Sequence, residues 1–323
     1  MTTATTATTA TMMTRRNNMG RTAKIILWSV ITAMVLALML ALFLAPGKII
    51  GKVDLPVMTN YKYKNAEMYT AGNAEIATEG INRIDVDWVL GDVSMVLWDG
   101  ETVSVSEIGD FADDKKVHTA VIDGALMIKF AASGNLGMKA ASKSLTVKIP
   151  ETMVLSGIAA DTVSADVSID MKTEVKTVDI DTVSGSTDIR NLSGDSVGVD
   201  TTSGRITVSG ATFVKAEFDS VSGRIEIDDS ALTGVDAETV SGKINCSFRE
   251  GAVLDELDFS SVSGDIELIL PANVGFEAKL SSVSGDLNTD FACVRNGKIY
   301  TCGDGSIKIS ADTTSGDLTI NKK

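Results

Sequence analysis

Short runs of alternating apolar and polar residues fill the chain from about residue 81 to its end, and Ser-Gly pairs separate them. Side chains two residues apart lie on the same face of a β-strand, so this alternation predicts strands with one buried face. A different pattern occupies residues 25–45, which are uncharged and mostly apolar. The hydrophobic pattern therefore divides the chain into an apolar N-terminal segment and a β-rich remainder.

The β-rich part is an internal repeat. A Ser-Gly turn, then a polar or charged residue, then an aliphatic one recurs, with a degenerate first copy at Ser164. The turn serines are Ser164, Ser184, Ser203, Ser222, Ser241, Ser263, Ser284 and Ser315, spaced by 19–22 residues except for a last interval of 31. The turn glycines are Gly185, Gly204, Gly223, Gly242, Gly264, Gly285 and Gly316. We expect each glycine to supply the backbone freedom of a corner.

Apolar residues recur at fixed distances from each turn serine, six and four residues before it and three and five after it. A single repeat buries too little apolar surface to offset the entropy of ordering its residues, so the copies must stack. The predicted fold is all-β: a single-stranded β-helix-like solenoid of about eight repeats. A repeated β-sandwich is the alternative. Residues 81–150, with Trp88 and Trp98, are expected to form atypical opening coils or a small separate β-subdomain.

The apolar run at 25–45 is long enough for one transmembrane helix, because 21 residues at 1.5 Å each span roughly 31 Å. Arg15, Arg16, Arg21 and Lys24 precede it without an acidic residue, which places the N-terminus in the cytoplasm. The run exceeds the apolar core of a cleaved signal peptide, so we expect a retained signal anchor.

The predicted organisation follows from that helix. Residues 1–24 form a disordered cytoplasmic tail, 25–45 the transmembrane helix, 46–78 a juxtamembrane stalk, and 79–323 the extracytoplasmic repeat domain. The Tyr-Lys pairs at 61–64 are expected at the level of the lipid headgroups. The predicted location is the cell membrane, with a single pass.

The net charge of the chain and its candidate ligand-binding residues restrict the classes of function that it can have. The chain has net charge −14, and because the first 47 residues are basic, the remainder has net charge −18, which disfavours nucleic acid. Three residues before the turn serine lies an acidic column that contains Asp161, Asp181, Asp200, Asp219 and Glu238, with Asp312 near the end. Such a column is a candidate Ca²⁺ site or a solvated face. A hydroxyl column, two residues before the serine, is expected to bond its own backbone or to bind sugar.

Cysteine and histidine are scarce. Cys293 and Cys302 flank an Asn296-Gly297 hairpin turn and form either a disulfide or two thiols, whereas Cys246 is expected to be a buried free thiol. The single histidine, His118, and the lack of nucleophile or Walker motifs predict no enzyme and no cofactor. A polysaccharide lyase with clustered Asp, Arg and Lys is the catalytic alternative.

The sequence resembles the Toastrack, or putative-adhesin, β-strand-repeat family across roughly residues 80–323. The resemblance rests on the run from Ile81 to Trp98, LTVKIP at 145–150, the repeated VSG turns and the segment 267–287. It implies a membrane-tethered extracytoplasmic domain of bacterial cell-envelope stress and signalling systems, and it supplies no catalytic residue.

Three functions follow. The leading prediction is a non-catalytic, membrane-anchored binding or scaffold domain that contacts an envelope or membrane protein. The second is an adhesin or cell-wall glycan-binding module, and the third is a structural spacer.

Overall fold

The computed structural model describes residues 61–134 and 141–323. The predicted cytoplasmic tail, the transmembrane helix and most of the stalk lie outside the described residues. Within these two ranges no helix is long and apolar enough to cross a membrane. The helical content described is two single turns of 3-10 helix, Ala66–Met68 and Asp113–Lys115.

The described residues form an all-β structure. Its strands are β1 (Thr70–Ala71), β2 (Ala74–Ala77), β3 (Arg83–Trp98), β4 (Thr102–Ile108), β5 (His118–Ile122), β6 (Ala125–Lys129), β7 (Lys143–Pro150), β8 (Leu155–Asp170), β9 (Val175–Thr182), β10 (Thr187–Arg190), β11 (Ser193–Thr201), β12 (Ile206–Ser209), β13 (Thr212–Ser220), β14 (Ile225–Thr239), β15 (Ile244–Phe248), β16 (Glu256–Ser261), β17 (Ile266–Leu270), β18 (Phe276–Ser281), β19 (Leu287–Thr289), β20 (Cys293–Asn296), β21 (Ile299–Cys302), β22 (Ile307–Thr313) and β23 (Leu318–Lys322).

The repeats stack in parallel as two ladders of strands. The first ladder consists of the strands before the turns, in the order β8, β9, β11, β13, β14, β16. The second consists of the strands after the turns, in the order β8, β10, β12, β14, β15, β17. The long strands β8 and β14 take part in both ladders, because each runs from one into the other. Equivalent residues pair directly, so the predicted repeat is confirmed as a stack of coils.

The inward columns of both ladders share one apolar core. Ile206, Ile225, Ile244 and Ile266 are neighbours in register three residues after their turns, and each is fully buried. Phe218 and Phe259 fill the column four residues before the turns. All positions of the four predicted apolar columns are buried except in the Ser284 coil, where Leu287 and Thr289 are half-buried.

The last two coils exchange places along the stack. Strand β22 pairs with β16 on one side and β18 on the other, and β23 lies in the same way between β17 and β19. The coil of Ser315 is therefore inserted between the coils of Ser263 and Ser284, although it comes last in sequence. The hairpin β20–β21 makes this return, and β21 pairs antiparallel with β18. This connection accounts for the long last interval between turn serines.

Close stacking explains the turn glycines, and the expected need for backbone freedom was wrong. None of the seven has a positive φ. A Cβ added to Gly223 would instead lie 1.8 Å from the carbonyl oxygen of Gly204 in the coil below, and Gly242 would clash with Gly223 in the same way. Glycine is required because the corners of successive coils approach too closely for any side chain.

Hydroxyl groups close these turns. The Oγ1 atoms of Thr182, Thr201 and Thr239 accept hydrogen bonds of 2.9–3.0 Å from the N–H of the glycine three residues later. Ser220 and Ser261 make the same contact at 2.7 Å. Because these hydroxyls are buried and bonded to backbone, the hydroxyl column stabilises the turn and is unavailable to a sugar.

Antiparallel strands close the N-terminal end of the stack. One half of β3 is extended by β6, β5 and β1, and the other half by β7, β4 and β2. Residues 81–150 thus supply two parallel opening coils, β3 and the pair β6 and β7, and antiparallel strands close the end beyond them as a cap. The boundary at 79 is corrected, because β1 and β2 belong to this cap and not to a stalk.

The tyrosines expected at the headgroups also pack on the cap. The Tyr61 hydroxyl accepts a bond from the Phe130 N–H at 3.0 Å and donates to the Asp87 carbonyl at 3.3 Å, and burial raises its pKa. The Tyr63 hydroxyl donates to the carbonyl of Ala131 at 3.1 Å. The fold therefore begins no later than residue 61.

Candidate binding surfaces

The outer face of the first ladder is acidic. Asp161, Asp181, Asp200, Asp219 and Glu238 follow one another in register, as the sequence predicted. A second acidic column lies beside it, two residues earlier in each strand, and contains Asp179, Glu217, Asp236 and Asp258. We call these two columns the acidic face. Its carboxylates stand on rigid strands about 4.8 Å apart, so they present a concentrated negative field.

The acidic face has the features of a solvated surface. Glu217 forms an ion pair of 2.6 Å with Lys215, and Asp200, Asp219 and Glu238 each have interaction partners. Across residues 61–134 and 141–323, no group of three or more His, Cys, Asp or Glu residues is arranged to hold a metal ion. The candidate Ca²⁺ column therefore gains no geometric support.

The outer face of the second ladder carries a polar groove of about 640 Å³. It crosses the five coils from β10 to β17, and its outward side chains stand four and six residues after the turn serines. The lining residues are Arg190, Thr207, Ser209, Glu226, Ile227, Asp228, Asn245, Cys246, Ser247, Glu267 and Ile269. The side chains of Ile227 and Cys246 are buried, so these two residues contribute the floor.

Charges in the polar groove are largely paired within the protein. Arg190 donates two hydrogen bonds to the carboxylate of Asp188, at 2.9 and 2.5 Å. Glu226 accepts from Arg224 at 3.2 Å. By contrast, the structure gives the side chains of Thr207, Ser209, Asn245 and Ser247 no hydrogen bond to any described residue. The groove thus combines neutralised charges with free uncharged donors and acceptors.

The cap contains a buried ion pair. The side chains of Lys143 and Glu107 are 1% and 4% exposed, and Nζ lies 2.7 Å from Oε2. The ammonium group also lies 4.2 Å from the ring centre of Phe130 and 4.9 Å from that of Trp88. Burial lowers the pKa of Lys143, while Glu107 opposes that shift. We call Lys143, Glu107, Phe130 and Trp88 the cage. Because its two charged side chains are buried, the cage serves the packing of the cap.

Backbone contacts tie this cage to β3. The Trp88 Nε1 donates to the carbonyl of Lys143 at 3.1 Å, and the Nζ of Lys143 donates to the carbonyls of Lys115, at 2.8 Å, and Phe130. Trp88 is 1% exposed, so it is a core residue and not a ligand platform. Trp98 is half-buried, and its Nε1 donates to the carbonyl of Thr102 at 3.0 Å.

The C-terminal hairpin carries a disulfide between Cys293 and Cys302, which are directly opposite in register. Asn296 pairs with Ile299, so the two-residue loop is Gly297-Lys298 rather than the expected Asn296-Gly297. The bridge closes the segment that leads into the inserted coil.

The chemically reactive side chains are engaged in structure. The Nδ1 of His118 lies 2.9 Å from the carbonyl of Lys116, two residues away. Cys246 is a buried free thiol, and burial raises its pKa, which makes the thiolate unavailable. These two residues lack the nucleophile–base contact that covalent catalysis requires.

A family model described as Toastrack DUF4097 matches residues 81–321, most of the described ladder structure. The chain belongs to this family. Among solved structures, it is similar to a Bacteroides fragilis protein described as a putative adhesin, with 18% identity, a TM-score of 0.48, and coverage of 79% of this chain and 97% of that one.

A second solved structure, from Parabacteroides distasonis and also described as a putative adhesin, is 16% identical, with a TM-score of 0.42 and coverage of 79% of this chain and 97% of that one. A Clostridium sporogenes structure, described as a putative cell adhesion protein, is 12% identical, with a TM-score of 0.29 and coverage of 79% and 100%. No curated protein matches the chain.

The polar groove was missed at the sequence level, although the sequence contains a signal for it. Four residues after the turn, the Toastrack repeats carry Thr207, Glu226, Asn245 and Glu267, whereas the acidic face carries carboxylates at nearly every equivalent place. This column mixes uncharged and charged polar residues, although the repeat is otherwise regular. Such variation indicates that this face differs chemically from the acidic face.

Proposed function

We propose that this chain is a non-catalytic, membrane-anchored extracytoplasmic binding and scaffold domain of the bacterial cell envelope, acting by contact with another envelope or membrane protein. The observation that carries the proposal is the acidic face, a rigid surface with the same register over successive coils. Side chains on such strands are held in place before a partner arrives, which lowers the entropic cost of binding.

The charge of this surface favours a basic partner. Complementary potentials accelerate association and select against anionic competitors. The membrane anchor at 25–45 rests on the apolar pattern and the basic residues before it. Such an anchor would put the acidic face on the extracytoplasmic side of the membrane.

In-cell crosslinking tests this proposal. A photoreactive residue would replace Asp219 on the acidic face of the full-length protein, and Asn288, on the second ladder, in a control. We expect a discrete crosslinked envelope protein from position 219, absent at 288, and lost when Asp200 and Glu238 are changed to lysine. Equal crosslinking from both positions would contradict a protein contact at this face.

The second candidate is a cell-wall glycan-binding module, which the polar groove favours. Sedimentation of the full-length protein with isolated sacculi distinguishes the two. Saturable binding that is insensitive to Asp200→Lys and Glu238→Lys would favour the glycan-binding module over the protein scaffold.

A further inference from the structure

The polar groove holds hydrogen-bonding capacity that the protein does not use. Thr207 and Ser209 on β12, and Asn245 and Ser247 on β15, point to the same side of the second ladder. They alternate with the inward residues Ile206, Val208, Ile244 and Cys246, all of them buried. The strands therefore fix their positions, and their donors and acceptors are directed at whatever occupies the groove.

Charge in the groove selects the class of ligand. The guanidinium of Arg190 is hydrogen-bonded to the carboxylate of Asp188, and the carboxylate of Glu226 accepts from Arg224. Both charges are therefore neutralised within the protein. Asp228 and the exposed Glu267 add negative charge in a domain that is already acidic. An anionic polymer would be repelled. An uncharged ligand with many hydroxyl groups meets no such penalty.

The repeat of the groove selects the shape of the ligand. Equivalent side chains recur every ~4.8 Å, so the groove from β10 to β17 offers similar groups over about 19 Å. A peptide would need a free strand edge or apolar pockets, and Ile269 is the groove's one half-exposed apolar side chain. An extended polysaccharide presents hydroxyl groups at a regular interval along its length.

We propose that the polar groove binds an extended, uncharged polysaccharide strand that runs along the stack and crosses the strands of the second ladder. Thr207 and Asn245 contribute central hydrogen bonds, and Ser209 and Ser247 line the adjoining column. Because the lining contains no aromatic side chain, binding depends on repeated hydrogen bonds and grows with the length of the sugar chain. This inference rests on the proposed non-catalytic binding function and names a ligand class for a second face.

Calorimetric titration of the full-length protein in mild detergent tests the proposal. The probes are β-1,4-linked hexasaccharides of N-acetylglucosamine and of glucose, with the disaccharides for length and oligogalacturonate as the anionic comparison. We expect saturable binding of at least one hexasaccharide, weaker binding of its disaccharide, and none of oligogalacturonate. Absence of saturable hexasaccharide binding, or a preference for oligogalacturonate, overturns the proposal.

Matched variants localise the site. Thr207→Val with Asn245→Leu removes hydrogen-bonding groups from the groove. Thr319→Val with Asn288→Leu makes the same changes in the same column, outside the groove. Because hydrogen bonds from both central side chains are lost, the groove variant should weaken binding about tenfold or more. Equal affinity in both variants overturns the assignment, and unchanged melting temperatures verify that both remain folded.

The two proposals fail differently. New reducing ends in the titrated sugar would refute the non-catalytic function, whatever the groove variants show. A groove that fails to bind hexasaccharide, with the crosslink at position 219 intact, removes only the inference about polysaccharide.

Discussion

The stacked coils and the N-terminal cap bury apolar surface in opposite ways. In the coils, each stabilising contact is repeated. Turn glycines stack closely on turn glycines, turn hydroxyls accept from glycine N–H groups, and isoleucines pack on isoleucines in register. In the cap, the central contact occurs once and joins Lys143, Glu107, Trp88 and Phe130. Repetition spreads stability over many equivalent sites, whereas the cap concentrates it in one cluster. Substitutions should therefore be most damaging where nothing else repeats the contact.

The largest effect is expected for Lys143→Met. It leaves the carboxylate of Glu107 buried without its cation, which costs about 3–5 kcal/mol. Chemical denaturation of the full-length protein, followed by tryptophan fluorescence, would measure the loss because Trp88 reports on the same cluster.

A double variant separates charge from packing. Adding Glu107→Leu to Lys143→Met removes the orphaned charge, and replacing a buried ion pair with apolar residues is often close to neutral. We expect the double variant to recover part of the lost stability, because the buried Val117 N–H, which donates to Glu107 Oε1 at 2.7 Å, then lacks its acceptor. A double variant as unstable as the single one would show that the ion pair matters for shape rather than for charge.

Gly223→Ala should have the next largest effect. Its Cβ would lie 1.8 Å from a backbone oxygen, so two coils must separate, at a cost of about 3 kcal/mol. Gly234→Ala is the matched control, because its Cβ would meet only ordinary contacts beyond 3.5 Å. Similar melting temperatures for the two variants would contradict the close-stacking explanation.

The disulfide of the C-terminal hairpin should contribute less. It spans a separation of nine residues, for which the loss of chain entropy predicts about 2.5 kcal/mol. Replacing Cys293 and Cys302 with serine should lower the melting temperature to the same extent as adding reductant to the unaltered protein. Alkylation followed by mass spectrometry provides the independent check: two modified thiols at these positions without reduction would exclude the bridge.

The same contrast explains what the sequence could predict. The columns of the coils can be predicted because a contact that repeats in space also repeats in sequence. Ile206, Ile225 and Ile244 stand at the same distance from their turn serines, and this shared spacing predicts that they stack. The ion pair of Lys143 and Glu107 has no such signal, since its partners are 36 residues apart and occur once. The insertion of the Ser315 coil could not be predicted either. The turn motifs are alike, so they do not specify which coil stacks on which, and only the hairpin at 293–302 determines the order of the last two coils.

The smallest predicted effect distinguishes two buried threonines within one coil. Thr182 Oγ1 accepts the N–H of Gly185, whereas Thr187 Oγ1 is buried without a hydrogen-bond partner among the described residues. Thr182→Val should destabilise the protein by about 1 kcal/mol because it leaves that N–H unsatisfied. Thr187→Val should stabilise it by up to about 1 kcal/mol, because it removes an unpaired hydroxyl from an otherwise aliphatic column.

Thermal unfolding of the two valine variants provides the measurement, and its sign is more informative than its size. The substitution is chemically identical, the two sites are five residues apart, and both side chains are buried. Shifts in the same direction would mean that hydroxyl burial itself, and not the turn hydrogen bond, sets the stability of the coil. Opposite shifts would establish that the hydroxyl column is retained for the backbone of the turn, and that its repetition through the stack is a property of the fold.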